Sequence, residues 1–527
     1  MNINQMRDNS TTVIVILLTF LMSHPATGAK YEIEKDFFQE MDKKNSFLLD
    51  SIALESSKLK LLDKFKGEYE LILSLIKQNK FVLAREQVDL FLEKDPKQSG
   101  YYNLKALLEA IDDKPLKAEE SFKKAISLNS KNILAYTGLA KLSLGGGQFE
   151  EAKQYVSKAL VLNPNMLIAN EIMADVLRQQ QGVATSEKWL LDRYVKAKGD
   201  VKTELGFLKL LGKPDSSQKQ LERLLVLTEE LVGRNKSNLT VLSFLVDVQL
   251  VNQKKADAEQ TLRQIINIQP EGAMYQFKLA RLLGGRKDKE KEVLALLNKA
   301  LVNLDDPVAV LVYKTAFLID NKHFRQAFSV AEHIDELKPN HSVGKILKGD
   351  VYLAEKKYDK ALGLYQQSYQ IDKNIKVLRL ILNIFVVQNT QQKAIDLLET
   401  ELAQNEANTF IRTGLANLYQ KSGQFDLAAK HYEVLLAKQK GNVIILNNLA
   451  WAYGQQGNPK ALEMAERSFK IAPESGDVAD TYGYILLKNG KKQEALRILE
   501  RADKIAPESG GIQLHLAEAY IANQKKV

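Results

Sequence analysis

The sequence has no cysteine among its 527 residues. Disulfides, thiolate metal sites and cysteine nucleophiles are therefore excluded, as is the lipidated cysteine that begins a bacterial lipoprotein. No stretch rich in proline, in serine or in acidic residues interrupts residues 65–520. The hydrophobic content of 45% and the charged content of 26% are those of a folded chain. The composition predicts one continuous folded array over this range.

One apolar run, Val13–Met22, stands near the N-terminus, behind Arg7 and ahead of small residues that end at Ala29. Its ten residues are too few to cross a bilayer, which takes about 20. The pattern predicts a secretory signal peptide over residues 1–29 and an exported, periplasmic protein that begins near Lys30. An uncleaved N-terminal membrane anchor and a buried helix are the alternatives.

Residues that carry catalytic or metal chemistry are few and unsuitably spaced. No two histidines have the i, i+4 spacing of a helical zinc pair; they are His24, His323, His333, His341, His431 and His515. Gly145–Gly147 precede a helix as phosphate loops do, but no Gly-Lys-Ser or Gly-Lys-Thr follows, which favours an inter-helix turn. No nucleophile has a plausible base partner. We therefore predict a non-enzymatic protein without cofactor or metal.

Basic residues only slightly outnumber acidic residues, 74 against 65, which gives a net charge of +9. No basic run with interleaved aromatic residues is present, which argues against nucleic acid as a partner. The positive balance is compatible with acidic partners and leaves an anionic polysaccharide as a further candidate ligand.

The sequence repeats a short unit. Pro96 and Pro164 are two steps of 34 residues apart, and one such step separates Pro473 from Pro507. In the unit that starts at Ile133, two sets of apolar or small residues each share one face of a helix. These sets are Tyr136, Leu139, Ala140 and Ser143, then Phe149, Ala152, Val156 and Ala159. The spacing predicts an all-α fold of tandem helical hairpins, with small residues where two backbones approach.

The unit recurs about thirteen times. Starting points lie near Phe65, Ser99, Ile133, Leu239, Ala273, Val308, Ser342, Lys376, Thr409, Val443 and Gly476. We predict a leading helical segment over residues 30–64, repeats over 65–166 and 239–509, and degenerate repeats over 167–238. Residues 510–527 form an incomplete terminal repeat, whose uncovered first helix predicts either a longer natural chain or contact with another protein.

The unit resembles the tetratricopeptide repeat in the order of its large, small, aromatic and proline positions. In the unit that starts at Gly476 the matching residues are Tyr482, Gly483, Leu486, Gly490, Ala495, Leu499, Ala502 and Pro507. The resemblance implies a right-handed α-solenoid whose first helices line a concave groove for proteins or extended peptides. Asn417 and Asn448 occupy places where similar proteins hydrogen-bond a ligand backbone; the alternative is that they are simply solvent-exposed.

The stretch from Leu446 to Leu496 is similar to exported repeat proteins that accompany bacterial exopolysaccharide loci and the PEP-CTERM/exosortase sorting system. The matching residues are Asn447, Asn448, Leu449, Ala450, Trp451, Asp480, Thr481, Gly483, Ile485 and Leu486. This similarity implies an envelope scaffold in exopolysaccharide secretion or surface-protein sorting, peripherally associated with membrane complexes. The alternative is the regulatory or substrate-binding arm of an enzyme, such as a glycosyltransferase, whose catalytic domain is not in this chain. A clamp for chaperone tails is disfavoured, because Asp477 and Thr481 stand where it needs basic residues.

Overall fold

The computed structural model describes residues 63–213, 216–304 and 306–523. The predicted signal peptide and residues 30–62 of the predicted leading segment lie outside the described residues. Every regular element within the described ranges is helical, with 27 α-helices and one 3-10 turn at Lys287–Lys289. The all-α solenoid fold that the repeat pattern predicts is confirmed.

The chain divides into two compact units, one ending at Val310 and the other resuming at Leu311. The first unit contains α1 (Asp63–Lys77), α2 (Phe81–Lys94), α3 (Ser99–Ile111), α4 (Pro115–Leu128), α5 (Ile133–Gly145), α6 (Phe149–Leu162), α7 (Leu167–Gln181), α8 (Val183–Lys196), α9 (Val201–Leu211), α10 (Gln218–Arg234), α11 (Leu239–Val251), α12 (Lys255–Ile268), α13 (Ala273–Leu283) and α14 (Glu290–Val302). Helix α15 (Val308–Asp320) spans the division. The second unit continues with α16 (Phe324–Leu337), α17 (Val343–Ala354), α18 (Tyr358–Ile371), α19 (Ile375–Val387), α20 (Gln391–Gln404), α21 (Thr409–Lys421), α22 (Phe425–Lys438), α23 (Val443–Gln455), α24 (Lys460–Ile471), α25 (Gly476–Lys488), α26 (Lys492–Ile505) and α27 (Gly510–Ala522). Odd-numbered helices are the first helices of the predicted hairpins, and even-numbered helices are the second.

One turn geometry joins the first helix to the second in ten of the described hairpins. Two residues after the first helix ends, the chain takes a left-handed φ between 56° and 77°. The next residue then donates its N–H to a carbonyl five residues back, as Gln148 does to Ser143. This is the Schellman motif, which satisfies the last carbonyls of the helix. Gly147 occupies the left-handed position after α5, so Gly145–Gly147 form an inter-helix turn, as the sequence favours.

Asparagine caps fix where several first helices begin. The side-chain oxygen of the residue before the helix accepts backbone N–H groups of the first turn, which otherwise have no partner. The capping residues are Asn132, Asn238, Asn374, Asn408 and Asn442. First helices begin at the predicted residue at Ser99, Ile133, Leu239, Ala273, Val308, Thr409, Val443 and Gly476. Those predicted near Ser342 and Lys376 begin one residue away.

Small residues on the first helices allow close packing against the second. A Cβ on Gly138 would lie 2.3 Å from the Phe122 ring, and one on Gly483 would lie 2.6 Å from Leu499. Side chains that large leave no space for even a methyl group on the facing helix. Ala140 in the predicted small-residue set is wholly buried. The close approach that the repeat pattern predicts is therefore present.

Each helix packs mainly on the helices next to it along the chain. First helices of successive hairpins also touch, as α3 touches α5 and as α23 touches α25. From α1 to α9 in the first unit and from α23 to α27 in the second, the first helices thus form a row of neighbouring faces. None of the described helices is long and apolar enough to span a membrane.

Helices α7 to α10, in the predicted degenerate region, contain an ion pair that the sequence does not indicate. Glu204 on α9 is wholly buried and accepts from the Arg234 guanidinium of α10 at 3.0 and 2.5 Å. The Gly199 N–H donates to the same carboxylate at 2.8 Å. Three donors therefore replace the water that Glu204 loses on burial.

Candidate functional site

Both asparagines predicted to bind a partner lie on first helices of the second unit. Asn417 lies on α21 and Asn448 on α23, and the hydroxyl of Tyr432 on α22 connects them. This hydroxyl donates to Asn417 Oδ1 at 2.6 Å, and Asn448 Nδ2 donates to the Tyr432 oxygen at 3.4 Å. The structure brings the two predicted residues into one hydrogen-bonded group through Tyr432, which the repeat pattern does not link to either of them.

The bond to Tyr432 determines how Asn417 is oriented. Burial raises the pKa of the Tyr432 hydroxyl, which therefore remains protonated and able to donate. Asn417 is half-buried and turns its oxygen toward that donor, so its Nδ2 points away from Tyr432. Asn448 is only 8% exposed, so the alternative of a simply solvent-exposed side chain does not hold for it. Binding of a peptide backbone by either residue stays a prediction.

A second group of side chains follows on α23, α25 and α27, and we call it the Trp–His cluster: Trp451, Asp480, Tyr484 and His515. The ring centroids of Tyr484 and His515 lie 4.4 Å apart, and those of Trp451 and Tyr484 lie 5.1 Å apart. Trp451 and Tyr484 are half-buried, whereas His515 is buried. Packed rings of this kind present a rigid surface on which an apolar side chain or another ring can stack.

Asp480 contributes a buried carboxyl group to the cluster. It is wholly buried, and Nδ1 of His515 lies 2.9 and 3.0 Å from its two carboxylate oxygens. When Asp480 is ionised, its carboxylate only accepts, and Nδ1 of His515 is then the donor in this pair. One turn earlier, the pKa of Asp477 is raised by burial and by the charge of Asp480. Charges of both signs therefore adjoin the cluster: Asp480 pairs with His515, and Nζ of Lys488 lies 4.8 Å from the centroid of the Tyr484 ring.

Two buried polar atoms beside the cluster have no hydrogen-bond partner within the described ranges. They are Oδ1 of Asn447 on α23 and Oγ1 of Thr481 on α25. Asn447 is 6% exposed, and Thr481 is wholly buried. An unpaired polar atom of this kind costs about 1–3 kcal/mol. Both residues belong to the stretch from Leu446 to Leu496, whose sequence gives no sign that these atoms are unpaired.

The sequence does contain a signal for the cluster. Asn447 and Trp451 are four residues apart on one first helix, and Asp480 and Tyr484 have the same spacing on the next. Residues with this spacing lie on one face of a helix. His515 lies 35 residues after Asp480, about one repeat, which puts the two at neighbouring places on adjacent first helices. A search for polar residues one repeat apart therefore identifies Asp480 and His515 as a pair.

Family models described as tetratricopeptide repeat match three segments of the chain. One model matches residues 413–461, and a second matches residues 133–166 and 479–509. The chain therefore contains tetratricopeptide repeats, a class of repeat associated with protein–protein interaction. Asn417 and Asn448 fall in the first segment, and Asp480 and Tyr484 fall in the last. No curated protein matches the sequence.

Several solved repeat structures are similar to this chain at low identity. Naa15/Naa10 bound to HypK is 13% identical, with 86% of this chain and 96% of that chain covered and a TM-score of 0.32. The Cut9–Hcn1 hetero-tetramer of APC/C is 12% identical, with 90% and 99% covered and a TM-score of 0.31. YrrB, described as a TPR protein with an unusual peptide-binding site, is 17% identical, with 36% and 97% covered and a TM-score of 0.30. Similarity at this level does not bear on function.

Metal chemistry has no candidate centre in the part of the chain that the structure describes. No group of three or more histidine or carboxylate side chains there is arranged to hold a metal ion. His24 lies outside the described residues.

Proposed function

We propose that this protein is a non-catalytic scaffold of the bacterial cell envelope, which binds other proteins during exopolysaccharide secretion or surface-protein sorting. Its tetratricopeptide repeats support the binding of proteins. The apolar run Val13–Met22 and the small residues that follow it support export to the periplasm. The similarity of Leu446–Leu496 to exported repeat proteins supports the envelope pathway.

The observation that carries the proposal is a set of side chains on consecutive first helices that a partner can still contact. Asn417 on α21 is half-buried and directs its Nδ2 away from Tyr432. Trp451 on α23 and Tyr484 on α25 add two half-buried rings that pack on each other. A partner that supplies a hydrogen-bond acceptor and an apolar side chain would match this set.

The mechanism is the sum of spaced, individually weak contacts. Packed helices lie about 8–10 Å apart. An extended chain rises about 3.3 Å per residue, so about three residues of a bound peptide would span one first helix. Four first helices, α21 to α27, would then hold a segment of about a dozen residues. Affinity would increase with the number of helices that the partner spans.

The test compares Asn417→Asp with the matched control Asn405→Asp. The aspartate at position 417 keeps an oxygen for Tyr432 but loses the Nδ2 donor, whereas Asn405 is exposed after α20 and makes the same change of charge. Cells that export either form are cross-linked, and captured partners are quantified by mass spectrometry. We expect the yield of polymer-export or sorting components to fall about 2- to 10-fold with Asn417→Asp, the range set by loss of one hydrogen bond, and to hold with Asn405→Asp.

Equal yields from the two variants would remove Asn417 from the proposal. Absence of any envelope component would instead favour the arm of an enzyme. Fractionation of the same cells tests export: a periplasmic chain beginning near Lys30 supports it, and a membrane-bound chain with an intact N-terminus supports the anchor.

A further inference from the structure

The side chains proposed to contact a partner continue one first helix back from Asn417. Asn383 on α19 precedes Asn417 by 34 residues, and Asn417 precedes Trp451 by the same interval. Each is the ninth residue of its helix, so the three hold equivalent places on α19, α21 and α23. Asn383 is half-buried, and its side chain makes no hydrogen bond to any residue that the structure describes. The set of partner-facing positions therefore includes α19.

Arg379 lies one turn before Asn383, on the same face of α19. Its guanidinium carbon lies 5.0 Å from the centroid of the Phe410 ring on α21, so this contact joins the two first helices. Arg379 is half-buried, and its Nε is buried without a hydrogen-bond partner in the described ranges. The Phe410 ring, rather than a protein acceptor, therefore positions this side chain.

No carboxylate among the described residues pairs with the Arg379 guanidinium. Lys376, one turn earlier on α19, already interacts with another residue. An arginine stays charged, and its terminal N–H groups match the two oxygens of a carboxylate. A phosphate would instead bring about two negative charges to this single cation. Asn417 adds an amide donor on the next first helix, so a carboxylate of the partner matches this stretch.

The distance from Arg379 to the rings sets the spacing of the partner's side chains. Trp451, which packs on Tyr484, lies on α23, two first helices beyond Arg379. Packed helices are about 8–10 Å apart, so an extended chain covers the two steps in about six residues. We propose that the partner segment carries an aspartate or glutamate side chain that binds Arg379, about six residues from an apolar side chain that stacks on Trp451. This spacing rests on the proposed function, in which the partner lies along the first helices.

The probe is a library of random dodecapeptides, displayed as loops without a free carboxyl end, beside a second library that has one. Selection of the loops on the wild type should enrich an acidic residue about six positions from an aromatic or aliphatic one. Arg379→Gln should keep the apolar residue and lose the acidic one. Arg379→Glu should exchange the acidic residue for lysine or arginine, which a merely structural role of Arg379 would not produce. Arg325→Gln is the matched control, because Arg325 is exposed on the second helix α16, and it should select the wild-type sequences.

The best selected peptide then measures the contact with Arg379. Changing its acidic residue to the matching amide should weaken binding to the wild type about 10-fold, as expected for one charge-assisted pair at a half-buried site. The same change should weaken binding to Arg379→Gln less than about 2-fold. An equal loss with both proteins, another spacing, acidic residues enriched only beside a free carboxyl end, or no selected peptide would each overturn the proposal. Capture of envelope components from cells tests the proposed function separately: its failure alongside a selected acidic peptide would remove the envelope pathway and keep the carboxylate site.

Discussion

Replacement of Arg234 by alanine removes two of the three donors to a wholly buried carboxylate. Glu204 would keep only the Gly199 N–H at 2.8 Å. Loss of one partner of a fully buried ion pair costs about 3–5 kcal/mol. Arg234 is 37% exposed, so water would enter its place and compensate in part. We therefore expect the free energy of unfolding to fall by about 2–3 kcal/mol.

The pH dependence follows from the pKa of Glu204. Burial alone would raise this pKa, but hydrogen bonds from Arg234 and Gly199 lower it overall in the folded protein. A carboxyl with a lowered pKa contributes stability above its unfolded value of about 4.3, and loses it as the pH falls through the folded pKa. Without Arg234, burial prevails and the pKa rises above the unfolded value. The cost of the substitution should thus be largest near pH 7 and shrink toward pH 4.

Arg223→Ala is the matched control, because Arg223 lies on the same helix and pairs with Glu187 at 3.3 Å while 58% exposed. Exposed pairs contribute about 0–1 kcal/mol. Urea titrations at pH 7 and pH 4 measure both variants, and hydrogen exchange at pH 7 localises the loss to α9 and α10. Equal costs for the two arginines, or a cost for Arg234→Ala that does not depend on pH, would refute the reasoning.

Two further substitutions test the packing and the turns. Gly483→Ala places a methyl group against Leu499 and should lower the free energy of unfolding by about 1–3 kcal/mol. Gly363 on α18 faces open space, so Gly363→Ala should raise the free energy of unfolding by about 0.5–1 kcal/mol. Thermal unfolding of the two variants measures this difference. Lys356→Gly relieves a left-handed φ of 61° and should stabilise by about 0.5–1 kcal/mol. Gln366→Gly, on the exposed face of α18, should instead lower the free energy of unfolding by about 1 kcal/mol. A Lys356→Gly variant that is no more stable than the wild type would contradict the role of the turn.

The helices could be predicted from the sequence because their boundaries are local. Apolar spacing and the turn residues act within one repeat, so they correctly predict helix starts at Ser99 and Ile133. The start predicted near Lys376 is one residue late because the Asn374 cap, rather than the apolar spacing, determines it. Local signals therefore predict the helices, and capping residues determine where these helices begin.

The contacts between helices are harder to predict from the sequence. Asn417 and Asn448 could be placed on first-helix faces, but Tyr432, which connects them, comes from a second helix. The side chains of Glu204 and Arg234 meet only after α9 and α10 have packed. A cavity of about 200 Å³ among α1, α3, α4, α5 and α7 depends on how these five helices pack, and the sequence of any one of them does not reveal it.

Packing restricted to neighbouring helices also sets how the chain acquires structure. Residues that touch are seldom more than about one repeat apart in sequence, as the 35-residue separation of Asp480 and His515 illustrates. Such low contact order favours rapid folding, since only short loops must close before stabilising contacts form. Each hairpin can add to the previous one without waiting for distant segments. Under tension, the same arrangement would release one hairpin at a time, and a partner bound across several hairpins would hold them together.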